Sequence, residues 1–315
     1  MISVVMPAYN AADFIGEAIQ SILDQTYTDY EFIIVDDGST DGTAAIIQSY
    51  AERDPRIRLI ENPHGGVCEA RNTAIRQASG GWIVLMDADD IARPHRIERL
   101  VQAAEADPEV VVWGSYLTRI TVNGDVIGDI ELGPTTKEAF YAIDRTQRLV
   151  ELFDPTSMFR RDIAIEVGGY HPLMIVAMDS ELWDRMADYG PIVTVPESLL
   201  LYRLHDKSLT MTKQDMITML HGFPPARQRA RAEGRDLTPE QYIEDYNNRP
   251  LRQRFGTYML NRSKYYGKMA SIVWARRQYP LAGVYLALSI AVQPRFMLTR
   301  IWNDFIFRKK PSTAT

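Results

Sequence analysis

Two hydrophobic patterns alternate over the first hundred or so residues. Short, largely apolar runs at Ile2–Met6, Phe32–Val35, Ile57–Ile60 and Trp82–Met86 predict strands buried within a sheet. Between them, Ala12–Leu23, Thr43–Ala51 and Val67–Ala78 place apolar residues at helical spacing. This order predicts an α/β fold: a mostly parallel, Rossmann-like sheet with right-handed crossovers and helices on both faces. After Pro108 the pattern changes. Val110–Trp113, Thr156–Phe159 and Ile192–Val195 read as strands, Ser180–Ala187 as a helix, and Tyr116–Asp129 as a hairpin turning at Asn123-Gly124. Beyond about residue 211 the chain reads as helical, broken at Pro224-Pro225, Pro250, Pro280 and Pro294.

The length of 315 residues fits one large unit with an appendage, or two domains. The expected division is an α/β unit over 1–210, itself divided where the pattern changes into 1–107 and 108–210, and a helical C-terminal extension over 211–315. The single cysteine, Cys68, rules out an internal disulfide and fits a reducing compartment. The start, Met1-Ile2-Ser3-Val4, lacks a signal-peptide pattern, and the apolar run Leu281–Val292 is too short to span a bilayer. The expected location is therefore the cytoplasm, either free or at the inner face of the cell membrane. The net charge of −6 divides unevenly: residues 251–315 hold twelve Lys and Arg against Asp304 alone, which leaves the body strongly acidic.

In open α/β sheets ligands bind beyond the carboxyl ends of the strands. Those positions are Pro7-Ala8-Tyr9-Asn10, Asp36-Asp37-Gly38-Ser39 and Asp87-Ala88-Asp89-Asp90. Carboxylates at i and i+2 after a buried strand suit a hard divalent cation that bridges protein to phosphate. A solvated turn, or Asp90 capping the next helix, is the plainer reading of the same residues. At the second turn a carboxylate can accept from a base edge or a ribose, while Ser39, Thr40 and Asp41 suit a helix cap. No G-x-G-x-x-G follows the first strand and no P-loop is present, which argues against a dinucleotide oxidoreductase and a P-loop nucleotidase.

Taken together, these turns carry a resemblance. Val4-Val5-Met6-Pro7-Ala8-Tyr9-Asn10, Ser21-Ile22-Leu23-Asp24-Gln25-Thr26-Tyr27 and Ile34-Val35-Asp36-Asp37-Gly38-Ser39-Thr40-Asp41-Gly42-Thr43 stand in this order. Gly66-Val67-Cys68-Glu69-Ala70-Arg71-Asn72 and Leu85-Met86-Asp87-Ala88-Asp89-Asp90 follow. The set resembles the opening of the inverting, nonprocessive family 2 glycosyltransferases of GT-A fold. The resemblance implies a nucleotide-sugar donor, with UDP the expected nucleotide, and Mn²⁺ or Mg²⁺. It implies that Tyr9 flanks the base and Asp37 hydrogen-bonds it. Arg71 would lie near base or phosphates, Asp87 would contact ribose or metal, and Asp89 would ligate the metal. Pro7, Ala8 and Ala88 would line the pocket. The resemblance further implies that 1–210 is the catalytic domain, with 1–107 its nucleotide-binding half and 108–210 its acceptor-binding half.

Further along, Gly168-Gly169-Tyr170 and Met178-Asp179-Ser180-Glu181-Leu182-Trp183 resemble the family's acceptor-side segments. The family's catalytic base falls on Asp179, with Met178 where Glu is usual and Glu181 as the competing carboxylate. Leu201-Tyr202-Arg203-Leu204-His205 resembles the family's Tyr-Arg-x-His strand end, which implies His205 at the metal or diphosphate and Arg203 supporting phosphate. The expected activity is a hexosyltransferase-type reaction onto a glycan or lipid-linked glycan in surface polysaccharide synthesis. A processive synthase is an alternative, but its Gln-x-x-Arg-Trp segment and membrane spans are missing. A non-catalytic nucleotide-sugar-binding protein is another, opposed by Asp89 and Asp179. A nucleotidyltransferase would open with a Gly-rich basic loop, unlike Pro7-Ala8-Tyr9-Asn10. Nucleic acid is not an expected partner.

The tail interleaves Arg252, Arg254, Arg262, Lys264, Lys268, Arg276 and Arg277 with Phe255, Tyr258, Tyr265, Tyr266 and Trp274. Met297, Ile301 and Phe305 then repeat every four residues between Arg295, Arg300 and Arg308-Lys309-Lys310. Basic residues beside aromatics suit a helix lying in a membrane interface. Leu281–Val292, apolar nearly all round, is expected to be buried against the body or a second subunit.

Overall fold

The computed structural model describes residues 1–205, 214–275 and 277–294. One sheet runs through the molecule. Its first four strands are β1 (Ile2–Ala8), β2 (Tyr30–Asp36), β3 (Ile57–Glu61) and β4 (Trp82–Leu85), all mutually parallel. The remainder is β5 (Ile91–Ala92), β6 (Val112–Thr121), β7 (Val126–Ile130), β8 (Met158–Arg160) and β9 (Ile192–Leu204). The order is β3-β2-β1-β4-β8-β6-β9-β5, with β7 forming a hairpin on β6. β8 enters antiparallel between β4 and β6, and β6 and β9 are parallel.

The core explains why β1, β2 and β4 are apolar on both faces. Ile2, Val4, Met6, Phe32, Ile34 and Val84 pack on one side with α1 (Ile15–Leu23), α2 (Thr43–Ala51) and α4 (Arg96–Ala106). Val5, Ile33, Val35, Ile83 and Leu85 pack on the other with α3 (Val67–Gln77), α6 (Arg161–Glu166) and α7 (Met178–Met186). Successive side chains in a strand face opposite ways, so each strand feeds both layers. A short α5 (Lys137–Tyr141) lies between β7 and β8.

Two of the boundaries that differ from the sequence reading bear on the site. α1 is regular from Ile15 rather than Ala12; the turn before it, with Asn10 at φ +48°, is held by the amides of Asn10, Ala11 and Ala12, which donate to Ser39 Oγ, Thr43 Oγ1 and Asp41 Oδ2. These bonds tie the first two ligand-facing turns together. β9 continues to Leu204, well past Val195. Its pairing with β6 shifts register between Ser115 and Tyr116, skipping Pro196 and Glu197 before it resumes at Ser198. A bulge there lets a strand accommodate the missing proline N–H.

The extension comprises α8 (Gln214–Leu220), α9 (Phe223–Ala232), α10 (Pro239–Asn247), α11 (Leu251–Ala275) and α12 (Tyr279–Val292). Pro224, Pro239 and Pro280 sit in the first turns of their helices, where the missing N–H has no intrahelical role. Thr238 and Gln241 form a capping box that starts α10. Leu220, Phe223 and Tyr242 pack on Met174 and Ala177, just ahead of α7. Among the described residues α12 is not buried against the body, one of the two coverings expected for it. Its inward stripe of Ala282 and Ser289 meets α11, while Leu281, Val284, Leu286 and Leu288 stay exposed. The expected helix through Met297, Ile301 and Phe305 lies outside the described residues.

Candidate active site

β1 and β2 pair so that Ala8 stands opposite Asp36, and β1 and β4 so that Val5 stands opposite Leu85. The three turns noted in the sequence therefore emerge along one edge of the sheet. Tyr9 is 49 % exposed there, and its ring stacks on His64 with centroids 4.4 Å apart. Beneath it Asp37 is buried. Its carboxylate accepts from the amides of Gly65 and Gly66, each at 2.9 Å, and lies 3.1 Å from His64 Nδ1. Asp37 thus shapes the 64–66 loop that carries the stacking partner of Tyr9. Gly38, at φ +76°, is required: a Cβ there would lie 3.1 Å from the His64 amide.

Carboxylate oxygens of Asp87, Asp89 and Asp90 lie within 4.8 Å of one another. Asp90 is buried. One oxygen accepts from the Arg203 amide at 2.9 Å and the other has no hydrogen-bond partner. Burial, reinforced by repulsion from Asp89 and Asp87, pushes Asp90 well above the carboxylate range. Asp87 is also raised, by burial first and then by Asp89, with Arg71 opposing. Behind the cluster the buried Arg96 donates to the Leu85 and Pro155 carbonyls, each at 2.6 Å, and burial lowers it to about 10. An oxygen-only cluster with surplus negative charge and an orphaned buried oxygen fits a hard divalent cation.

β9 brings the remaining partners. β5 pairs antiparallel with it, Ile91 against Leu201, so the end of β9 runs back along the carboxylate turn. His205 Nε2 reaches Asp89 Oδ2 at 2.8 Å. Arg203 Nε donates to the Asp89 carbonyl at 2.9 Å, Nη1 to the Val122 carbonyl at 2.8 Å, and Nη2 to Glu17 at 2.5 Å. The fork is spent on holding the turn in place.

Arg71, on α3, is buried and links the cluster to the acceptor side. Its Nη2 meets Asp87 Oδ1 at 2.7 Å, while Nη1 pairs with Asp154 and touches Met178 Sδ at 2.9 Å. Burial works against its charge, but Asp154 and Asp87 more than offset that. Asp154 and Tyr170 complete the group. Tyr170 Oη donates to Asp154 Oδ1 at 2.8 Å, and burial, against the pull of Arg71, pushes Asp154 up to about 7. Gly169, at φ +69°, lets the chain close on Asn72, whose side chain clamps the Tyr170 amide and carbonyl at 2.8 Å each.

Asp179 follows Met178 in the first turn of α7. Its Oδ1 accepts from the Ser180 amide at 2.7 Å, and α7 begins with Ala177 at its cap. Glu181 is buried, both of its oxygens facing Arg185, which also reaches the Val167 and Gly169 carbonyls. Just past α8, His221 is lowered by burial, with Asp179 pulling it up and Lys264 and Lys268 on α11 pushing it down. Sequence reasoning passed over Asp154, His64 and Arg96. Asp154-Pro155 reads as an ordinary turn, and nothing local in His64 or Arg96 signals what the fold brings beside them.

A curled α/β sheet with a carboxylate cluster at the strand ends defines the architecture of nucleotide-diphospho-sugar transferases, GT-A. The family model described as Glycosyl transferase family 2 matches residues 3–168, and the chain belongs to that family. An uncharacterized glycosyltransferase of Haemophilus influenzae is 32 % identical over 213 residues, 65 % of this chain and 66 % of that protein. An uncharacterized glycosyltransferase of Nostoc sp. is 30 % identical over 250 residues, 78 % of this chain and 75 % of that one. Among solved structures, the mannosyltransferase PcManGT of Pyrobaculum calidifontis, in complex with GDP-Man and Mn²⁺, aligns at TM-score 0.56. The identity is 21 %, covering 98 % of this chain and 81 % of that one. Staphylococcus aureus TarS 1–349, in complex with UDP, aligns at 0.55 and 15 % identity, covering 96 % and 91 %. At such identities the likeness shows the fold.

Proposed function

We propose that this chain transfers a sugar, with inversion, from a nucleoside-diphosphate sugar to a hydroxyl of a glycan or lipid-linked glycan, in surface polysaccharide or glycoconjugate synthesis. One observation carries the reading: Arg71 joins the Asp87–Asp90 cluster, through Asp87 and Asp154, to the start of α7, where Asp179 lies. The donor in this reading is a UDP-sugar, the nucleotide bound in the TarS structure; a GDP-sugar, as in the PcManGT structure, is the other candidate for the screen below. Its base packs against Tyr9 beside Asp37, with Pro7 and Ala8 lining the cleft. Asp89 and His205, with Asp87 beside them, are the residues that would hold Mg²⁺ or Mn²⁺. Such an ion, when bound, supplies positive charge to the diphosphate leaving group.

The chain's own residues do the rest. Arg71, buried and paired with both Asp87 and Asp154, fixes Asp87 at the edge of the cluster that would face the diphosphate. The acceptor hydroxyl attacks from the opposite face and gives its proton to the Asp179 carboxylate. A single in-line displacement inverts the anomeric centre and needs no covalent sugar–enzyme species. Asp179 suits the base better than Glu181, because Glu181 is buried and spent on Arg185. Arg203 acts by holding the carboxylate turn.

The test is a donor screen with purified protein, Mg²⁺ or Mn²⁺, and a panel of nucleoside-diphosphate sugars and glycan acceptors. UDP release with one UDP-sugar is expected, and proton NMR should give a product of inverted anomeric configuration. Retained configuration would reject the mechanism. Silence from every donor, with no nucleotide binding, would reject the function.

A further inference from the structure

α11 and α12 form a helical hairpin whose outer surface is wrong for water. α12 carries no charged residue and is apolar round its circumference. A helix of that kind is ordinarily enclosed on all sides. Its main described neighbour is α11, met along one narrow stripe. Ser263 Oγ donates to the Ser289 carbonyl at 3.0 Å, Ser289 Oγ donates back to the Ser263 carbonyl at 2.6 Å, and Tyr266 stacks on Tyr285. Away from that stripe Leu281, Val284, Leu286 and Leu288 are exposed, Val284 at 55 %. At the turn Trp274 and Tyr279 meet edge to face at 4.9 Å, 61 % and 52 % exposed, beside the exposed Arg277.

Charge says what covers this surface. From Leu251 to Pro294 there are seven Lys and Arg and no Asp or Glu, on a chain whose net charge is −6. Paired face to face with a second copy, the apolar side of α12 would find its match, but the cations of the two hairpins would meet one another with no acid between 251 and 294 to offset them. An anionic lipid surface matches both features: hydrocarbon for the leucines, phosphate for the arginines, and the headgroup boundary for Trp274 and Tyr279. At about 1.5 Å per residue, the 14 residues of α12 span roughly 21 Å, short of a roughly 30 Å hydrocarbon core, so the helix lies in the interface rather than across it.

We propose that the α11–α12 hairpin docks the protein on an anionic membrane, with the Leu281, Val284 and Leu288 side of α12 inserted. The hairpin root lies on α8, through Thr218 and Asn261 at 2.5 Å, and Leu220 at the end of α8 packs with Met174 and Ala177 just ahead of α7. Docking would bring the acceptor end of the site to the lipid surface. The surface itself stands apart from the proposed reaction, because flotation does not depend on turnover.

The experiment is flotation of the full-length protein with vesicles of phosphatidylcholine, with and without phosphatidylglycerol. Binding to the mixed vesicles is expected at low salt, with weak binding to phosphatidylcholine alone and release at high salt. The full-length variant L281Q/V284Q/L288Q should bind at least about tenfold more weakly, with an unchanged circular-dichroism spectrum and unchanged mass in solution. A second variant, R252Q/R254Q/R262Q, should lose the salt-sensitive part of binding. No flotation at low salt overturns the proposal. So does flotation of the triple glutamine variant equal to wild type. A wild-type dimer that this variant splits, with flotation unaltered, would assign the face to a second copy instead.

Discussion

At the residue scale the informative position is Met178. The family's usual Glu is replaced by a thioether that packs between Cys68 and Arg71, and the counter-charge for Arg71 comes from Asp154 and Asp87. The carboxylate left on the acceptor side of α7 with an uncommitted oxygen, among the described residues, is Asp179. Asp179→Asn should lower turnover at least about a hundredfold, in line with removal of a general base, while nucleotide binding by calorimetry stays within about twofold. Glu181→Gln should behave differently. It strips Arg185 of its buried partner and should cost about 3 kcal/mol of stability, seen as a lower denaturation midpoint. If Glu181→Gln folds normally and alone loses turnover, the base is Glu181. Asp89→Ala removes the carboxylate that faces both the cluster and His205. It should abolish transfer, weaken Mn²⁺ binding by isothermal titration, and leave the circular-dichroism spectrum unchanged. Wild type in chelator should be equally inactive and should recover with added Mn²⁺.

At the element scale, what could be read from the sequence was local. Strands β1, β2 and β4 are legible because burial on both faces leaves a nearly continuous apolar run. The carboxylate turn is legible because its three acids are adjacent in sequence. Asp154 is not, because its meaning arises when β8 inserts beside β4 and carries the preceding turn to Arg71. The reach of β9 past Val195 is hidden for a similar reason: a proline marks a strand end unless a bulge absorbs it. Gly169 shows how an element junction sets the site. A Cβ there would lie 2.4 Å from Asn72 Oδ1, at a φ that side chains avoid. Gly169→Ala should therefore displace the Asn72 clamp and shift Tyr170 off Asp154. The expected loss is about 2 kcal/mol of stability in urea titration, with turnover falling further than the occupied fraction of folded protein explains. Wild-type stability in this variant would mean that the Asn72–Tyr170 contacts yield without strain.

At the scale of the whole molecule, the extension is tied to the body by charge as well as by its small apolar cluster. Asp184 and Asp188, at the end of α7, receive Arg227, Gln228 and Arg231 from α9 and Arg145 from the 141–150 segment. Asp184 is the centre of this junction: its side chain is 7 % exposed and takes Arg145, Arg227 and Gln228 together. Removing the buried Asp184 carboxylate leaves the partly buried Arg145 and Arg227 short of a partner, which costs more than the net worth of the pairs. Asp184→Ala should thus destabilise the junction by about 3 kcal/mol. Because the strands of the body keep their own core, the loss should be local: hydrogen exchange should quicken in α9 and in the 141–150 segment and stay slow in β1, β2 and β4. Loosening α9 also frees the cluster of Leu220, Phe223 and Tyr242 that backs Met174 and Ala177, one turn before Asp179. Turnover should fall through the acceptor KM, with donor binding unchanged. Uniform acceleration of exchange across the whole sheet would instead mean that body and extension unfold as one unit.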